Sequence, residues 1–191
     1  TMLIYSHNRL EILNLFLLIV IAMVAPTVFA EAKYPVKLEF ETIGQQAVST
    51  LLNDQSVPSI IASSWNKANE KFSARPPSGK IAQYDLNGDG VAEVFLYLSG
   101  HGLCGSGGCH LIIFQFNKEN KKLAYKTARS SSDDILILSS VTSGHHNLAI
   151  RLMDGVSMTR AEAYTLYQWR NADLEQTDET ILFQPPKDNC G

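Results

Sequence analysis

The residues best spaced for chemistry in this chain run Asp85-Leu86-Asn87-Gly88-Asp89-Gly90-Val91-Ala92-Glu93, with oxygen-bearing side chains at the first, third, fifth and ninth positions. A hard cation such as calcium takes roughly six to eight oxygens at 2.3–2.6 Å. Asp85, Asn87, Asp89 and Glu93, with the Val91 carbonyl and water, make a set of that kind. The twelfth position is Leu96 rather than the bidentate Glu of an EF-hand, and a strand pattern follows instead of a helix. Without a metal, the same residues make an Asx-rich turn whose carboxylates accept backbone amides.

The second group is Gly100-His101-Gly102-Leu103-Cys104-Gly105-Ser106-Gly107-Gly108-Cys109-His110, five of whose residues are glycine. In an oxidising compartment, Cys104 and Cys109 pair as a short-range disulfide that fixes the loop's shape and contributes about 2 kcal/mol. His101, Gly105, Ser106, Gly107, Gly108 and His110 then form a rigid surface for a partner. The alternative is a copper or zinc site made of His101, Cys104, Cys109 and His110, although their spacing matches no structural zinc pattern. Thiol chemistry is a third reading, without the C-x-x-C spacing or βαβ context of thioredoxin-like proteins. A P-loop lacks its Lys-Ser/Thr end here, and a nucleophile elbow lacks glycine two residues before Ser106.

The remaining candidates are weaker. His145-His146 after Ser143-Gly144 reads as a pair of exposed turn histidines, Asp133-Asp134 as a solvated turn, and Tyr164, Tyr167 and Trp169 as sheet packing. With no recognisable catalytic set, the chain reads as non-enzymatic, leaving only a site assembled from residues distant in sequence.

The Asp85–Glu93 loop resembles the short D-x-[DN]-x-D-G-x-x-[DE] loops between strands of FG-GAP and VCBS-type repeat proteins, and the resemblance implies calcium ligation by Asp85, Asn87, Asp89 and Glu93. Those families repeat the motif, whereas this chain has one copy. Taken with Tyr97-Leu98-Ser99-Gly100 and the Cys104-Gly-Ser-Gly-Gly-Cys109 segment, the pattern is similar to one in uncharacterised secreted or periplasmic bacterial proteins. That likeness spans about 35 residues and implies an envelope location.

The elements that must position these loops fall into a helical first part and a strand-rich remainder, divided at Arg75-Pro76-Pro77-Ser78-Gly79, where a helix cannot continue. One helix is expected over Glu41 to Asn53. A second starts near Val57-Pro58-Ser59 and carries Ile61, Trp65, Ala68 and Phe72 on one buried stripe. Strands are expected at Ile81–Tyr84, Val91–Leu98, Leu111–Phe116, Leu123–Thr127, Leu148–Leu152, Ala163–Trp169 and Thr180–Phe183, with Ile135–Leu138 a further one. Short links make neighbours antiparallel. The expected fold is α+β, two N-terminal helices packed on a mostly antiparallel sheet of about seven strands. The alternative is an all-β barrel or a partial propeller-like meander.

Residues 1–30 read as a cleavable signal peptide: Arg9 in the n-region, an apolar run from Ile12 to Ala25 broken by Asn14, then Pro26 and a Val28-Phe29-Ala30 cleavage site. Residues 31–191 are then one globular domain, periplasmic or secreted, with no membrane segment of its own. Removing Arg9 and Glu11 leaves the net charge at −3, and Lys118, Lys121 and Lys122 are too few for a phosphate-binding surface, so nucleic acid is not an expected partner. Cys190 has no obvious mate; it stays free, joins two chains as a dimer, or takes Cys104 or Cys109. These features point to an exported, non-enzymatic binding or inhibitory domain. It is stiffened by a calcium-type loop and presents the closed Gly-rich loop to a protein partner such as a cell-wall enzyme. The alternative is metal handling or thiol activity through the His/Cys cluster.

Overall fold

The computed structural model describes residues 35–53, 57–106, 108–116, 122–130, 132–151, 162–170 and 173–183. The chain divides into two units, Thr1–Lys33 and Tyr34–Gly191, and only the second contains described residues. The expected signal segment and Cys190 lie outside them.

Two strands at the centre of this unit explain its architecture. β4 (Glu93–Ser99, EVFLYLS) and β5 (Cys109–Phe116, CHLIIFQF) are almost unbroken apolar runs, so both faces of each strand need covering. Side chains alternate across a strand. Phe95, Tyr97, Leu111 and Ile113 turn one way, into a buried cluster with Ile135, Ile137, Leu148, Ile150, Tyr167 and Trp169. Leu96, Leu98, Ile112 and Phe114 turn the other way, into a cluster with Val48, Leu52, Ile61, Trp65 and Ala68. Each large side chain so buried contributes ~1.5–3 kcal/mol.

The first face is covered by a second sheet and the other by the helices. One sheet has the order β2 (Glu41–Ile43), β3 (Ser78–Tyr84), β4, β5 and β6 (Lys122–Ser130). The other has the order β1 (Val36–Lys37), β7 (Ile135–Thr142), β8 (His145–Arg151), β9 (Glu162–Arg170) and β10 (Asp173–Phe183). Every pairing is antiparallel. The helices α1 (Gln45–Leu52) and α2 (Ser59–Lys71) lie on the outer face of the β2–β6 sheet. They are tied together where the buried Trp65 donates its indole N–H to Ser49 Oγ at 3.2 Å.

This overturns the α+β expectation of helices on a single sheet of about seven strands. The protein is mostly β, and neither sheet closes into a barrel. After β6 the chain does not extend the first sheet. It starts a second one, because the inward faces of β4 and β5 would otherwise be exposed to water. The first helix also begins later than expected: Glu41–Ile43 pairs with β3 as an edge strand, and α1 follows from Gln45. Pro58 precedes α2 as its N-cap, and the strand expected at Thr180–Phe183 begins at Asp173. Among the described residues, no helix is long and apolar enough to cross a membrane.

Candidate functional site

The two loops singled out by sequence flank β4, one leading into Glu93 and the other leaving Ser99. A seven-residue strand spans roughly 20 Å, so the fold holds the loops apart at opposite ends and does not combine them into one site.

The Asp85–Glu93 loop is a closed hydrogen-bonded turn. Asp85 Oδ1 and Oδ2 accept the amides of Gly88 at 2.7 Å and Gly90 at 2.8 Å, and Asn87 Oδ1 accepts that of Asp89 at 2.9 Å. Asp89 Oδ1 accepts the Val91 amide at 2.7 Å, and Asn87 Nδ2 donates to Asp89 Oδ2 at 3.2 Å. The fully buried Leu86 side chain anchors the loop in the core between the sheets. Glu93, 2% exposed, accepts the Leu86 amide at 2.7 Å. Its burial, and after that the charges of Asp85 and Asp89, push its carboxyl up to about 7 against the pull of the Leu86 amide. Among the described residues, no three His, Cys, Asp or Glu side chains are grouped to hold a metal ion. The carboxylates of this turn stand close in charge but are directed at backbone amides.

The second loop is built around a covalent clasp. Cys104 and Cys109 are joined as a disulfide with their Cα atoms 4.1 Å apart. Inside the ring, Gly105 and Gly108 exchange two backbone hydrogen bonds, at 3.1 and 3.0 Å. The base of the loop is buried and the tip is not: Leu103 is 3% exposed and Cys109 7%, whereas Cys104, Gly105 and Ser106 face solvent. Gly102 lies over Ala68 of α2 and over Phe72, which caps that helix. Gly108 has φ +93°, and a Cβ there would lie 2.7 Å from the carbonyl oxygen of Ser130 at the end of β6, so only glycine fits. Gly107 lies outside the described residues.

The four proposed transition-metal ligands are not assembled. Both sulfurs are held in the disulfide. His101 is exposed, its ring 5.4 Å from that of Phe72. His110 is half-buried on β5 and turns to the opposite face from Cys109.

Comparison with family models, curated proteins and solved structures gives no match to this chain. The functional reading therefore rests on the residues and their geometry.

Two groups prove more structured than their sequence suggests. Asp134, expected in a solvated turn, is 8% exposed and sits in a charged network. Lys37 Nζ lies 3.0 Å from its Oδ1, which has no other close partner among the described residues, and Arg151 Nη1 lies 3.3 Å from its Oδ2. The Tyr164 hydroxyl stands 3.0 Å from both Asp134 Oδ2 and Glu162 Oε2. Burial, reinforced by these two carboxyl groups, raises the Tyr164 pKa above the ordinary phenol value, and contact with Asp134 raises that of Lys37. His145 and His146 belong to β8 rather than to a turn; the His145 ring stacks on Trp169 with centroids 4.6 Å apart. Neither feature is visible in local sequence, because the partners are far apart along the chain.

Proposed function

We propose that this chain is an exported, periplasmic binding or inhibitory domain without catalysis of its own, and that the disulfide-closed loop is the surface it presents to a protein partner such as a cell-wall enzyme. The observation that carries this reading is the contrast within one short loop. Cys104, Gly105 and Ser106 are exposed, while Leu103, Gly108 and Cys109 are buried against α2, β5 and β6. A loop whose ends are fixed loses little conformational entropy when its tip is bound, so binding energy is not consumed in ordering it. The signal-like residues 1–30 and the resemblance to envelope proteins support the location.

The test is to place a photo-crosslinking amino acid at Ser106 in protein exported to the periplasm, with an equivalent substitution at exposed Glu179 on β10 as control. A discrete protein adduct is expected from position 106 alone, and it should vanish when Cys104 and Cys109 are both replaced by Ala. Adducts indifferent to the disulfide, or equal at both positions, would refute the reading.

The Asp85–Glu93 turn enters this proposal as a stiffener that takes calcium. What favours this is electrostatic: burial raises Glu93, the nearby charges of Asp85 and Asp89 add to that rise, and a divalent cation would offset both. Binding would require Asp85, Asn87 and Asp89 to exchange some of their amide contacts for the ion.

A further inference from the structure

Between α1 and α2 lies a shallow, broadly open hollow of about 400 Å³, with Pro76 at its edge. We propose that it is a binding site for a neutral, hydroxyl-rich ligand, a saccharide. The proposal stands apart from the disulfide-loop reading: Asn66, Asn69 and Ser73 line the groove, while Ala68, on another side of α2, and Phe72, which caps it, meet Gly102.

Six polar side chains define its chemistry: Gln45, Gln46 and Ser49 from α1, Asn66 and Asn69 from α2, and Ser73 just beyond it. None carries a charge. A charged ligand meets no counter-ion among these side chains, whereas a neutral ligand rich in donors and acceptors can bond to them while keeping its other groups in water. A sugar hydroxyl both donates and accepts, which matches the mixed set present.

Three of the six are already oriented by the fold. Gln45 Nε2 donates to the Pro77 carbonyl at 2.6 Å, and Asn69 Nδ2 donates to the Trp65 carbonyl at 2.9 Å. Ser49 Oγ accepts the Trp65 indole N–H. These bonds leave Gln45 Oε1 and Asn69 Oδ1 as acceptors and the Ser49 O–H as a donor, all held before a ligand arrives. Trp65 is buried beneath and offers no exposed ring for stacking. Affinity therefore comes from hydrogen bonds and is modest.

The experiment is a titration of ¹⁵N-labelled full chain followed at the side-chain amide resonances of Gln45, Asn66 and Asn69. The probes are N-acetylglucosamine, its linear trimer, maltose and, as a charged control, glucuronic acid. Saturable shifts at these three amides with a neutral sugar are expected. Asn69→Ala, or Asn66→Ala at a solvent-exposed position where folding is not at issue, should weaken binding about three- to tenfold. Tighter binding of the trimer than of the monomer identifies a glycan chain as the source, and equal binding identifies a free sugar. No saturable shift at tens of millimolar, an undiminished response in both variants, or binding of glucuronic acid alone would overturn the proposal.

Discussion

The backbone amide of His146, on β8 of one sheet, donates a 2.8 Å hydrogen bond to the carbonyl of Leu86, in the loop that leads into β4 of the other. Around it, the Trp169 indole donates to the His146 carbonyl at 3.0 Å, and the ring nitrogen His146 Nδ1 donates to the Leu138 carbonyl at 2.7 Å. The acidic turn is thus held from both sheets. Since Glu93 closes the turn from below by accepting the Leu86 amide, changes in its charge should be felt in global stability.

The first prediction concerns pH. The Glu93 pKa rises from its ordinary 4.5 to about 7 in the folded chain, chiefly through burial. The folded state therefore binds this proton more tightly than the unfolded one. Its stabilisation is complete below pH 4.5 and is lost as pH rises through about 7. In calcium-free buffer this group should lower unfolding free energy across that window by up to about 3 kcal/mol. Glu93→Gln keeps an acceptor for the Leu86 amide and should remove that component, as the difference between wild-type and variant urea titrations would show.

Calcium should reverse the effect. Millimolar calcium is expected to raise the Tm of the wild type, with magnesium doing less because it demands stricter octahedral geometry. Asp89→Asn retains an acceptor for the Val91 amide but removes one charge, and should blunt the rise. Calorimetry with calcium, magnesium and chelator decides it. An unchanged Tm would leave the loop as a hydrogen-bonded turn and remove calcium from the proposed reading.

The disulfide loop should tolerate substitution unevenly. Gly108→Ala forces a Cβ against the Ser130 backbone at positive φ and should cost about 2 kcal/mol or more. A Cβ added at Gly105 would meet nothing within 4 Å, so Gly105→Ala should stay within about 0.5 kcal/mol. Denaturant unfolding of the two variants measures the contrast.

Asp134→Ala should destabilise by roughly 1–3 kcal/mol, because Lys37, Arg151 and Tyr164 lose a shared partner while the two cations keep access to water. Thermal unfolding of Asp134→Ala and Lys37→Ala, singly and together, measures how strongly β1 is held through this contact.

The sequence is most legible where local chemistry decides structure. Of the expected stripe, Ile61, Trp65 and Ala68 lie on α2 as read while Phe72 caps its end, and the unbroken apolar runs through Phe95 and Ile112 form strands. Those runs also hint that both faces are buried, but two-faced burial does not say whether helices or another sheet provides the cover. Three residues carry no period of their own, so the edge strand Glu41–Ile43 reads as the start of a helix. His145 reads as a turn residue because Ser143 and Gly144 precede it. The turn is complete in those two residues, both at positive φ, and His145 already pairs with Thr142. Of the candidate sites, the Cys104–Cys109 pairing is readable from two cysteines and glycines in one short stretch. The amide groove is not, since Gln45 and Asn69 meet only once the two helices pack.

The separation of the two loops by β4 has a practical consequence. A strand buried on both faces acts as a spacer, so the molecule has two poles that can be handled independently. A fluorophore or surface tether attached beside the acidic pole, for example at exposed Gln83 on β3, would leave both the turn and the cysteine pole unobstructed. The same protein could then serve as an oriented capture reagent on a sensor chip.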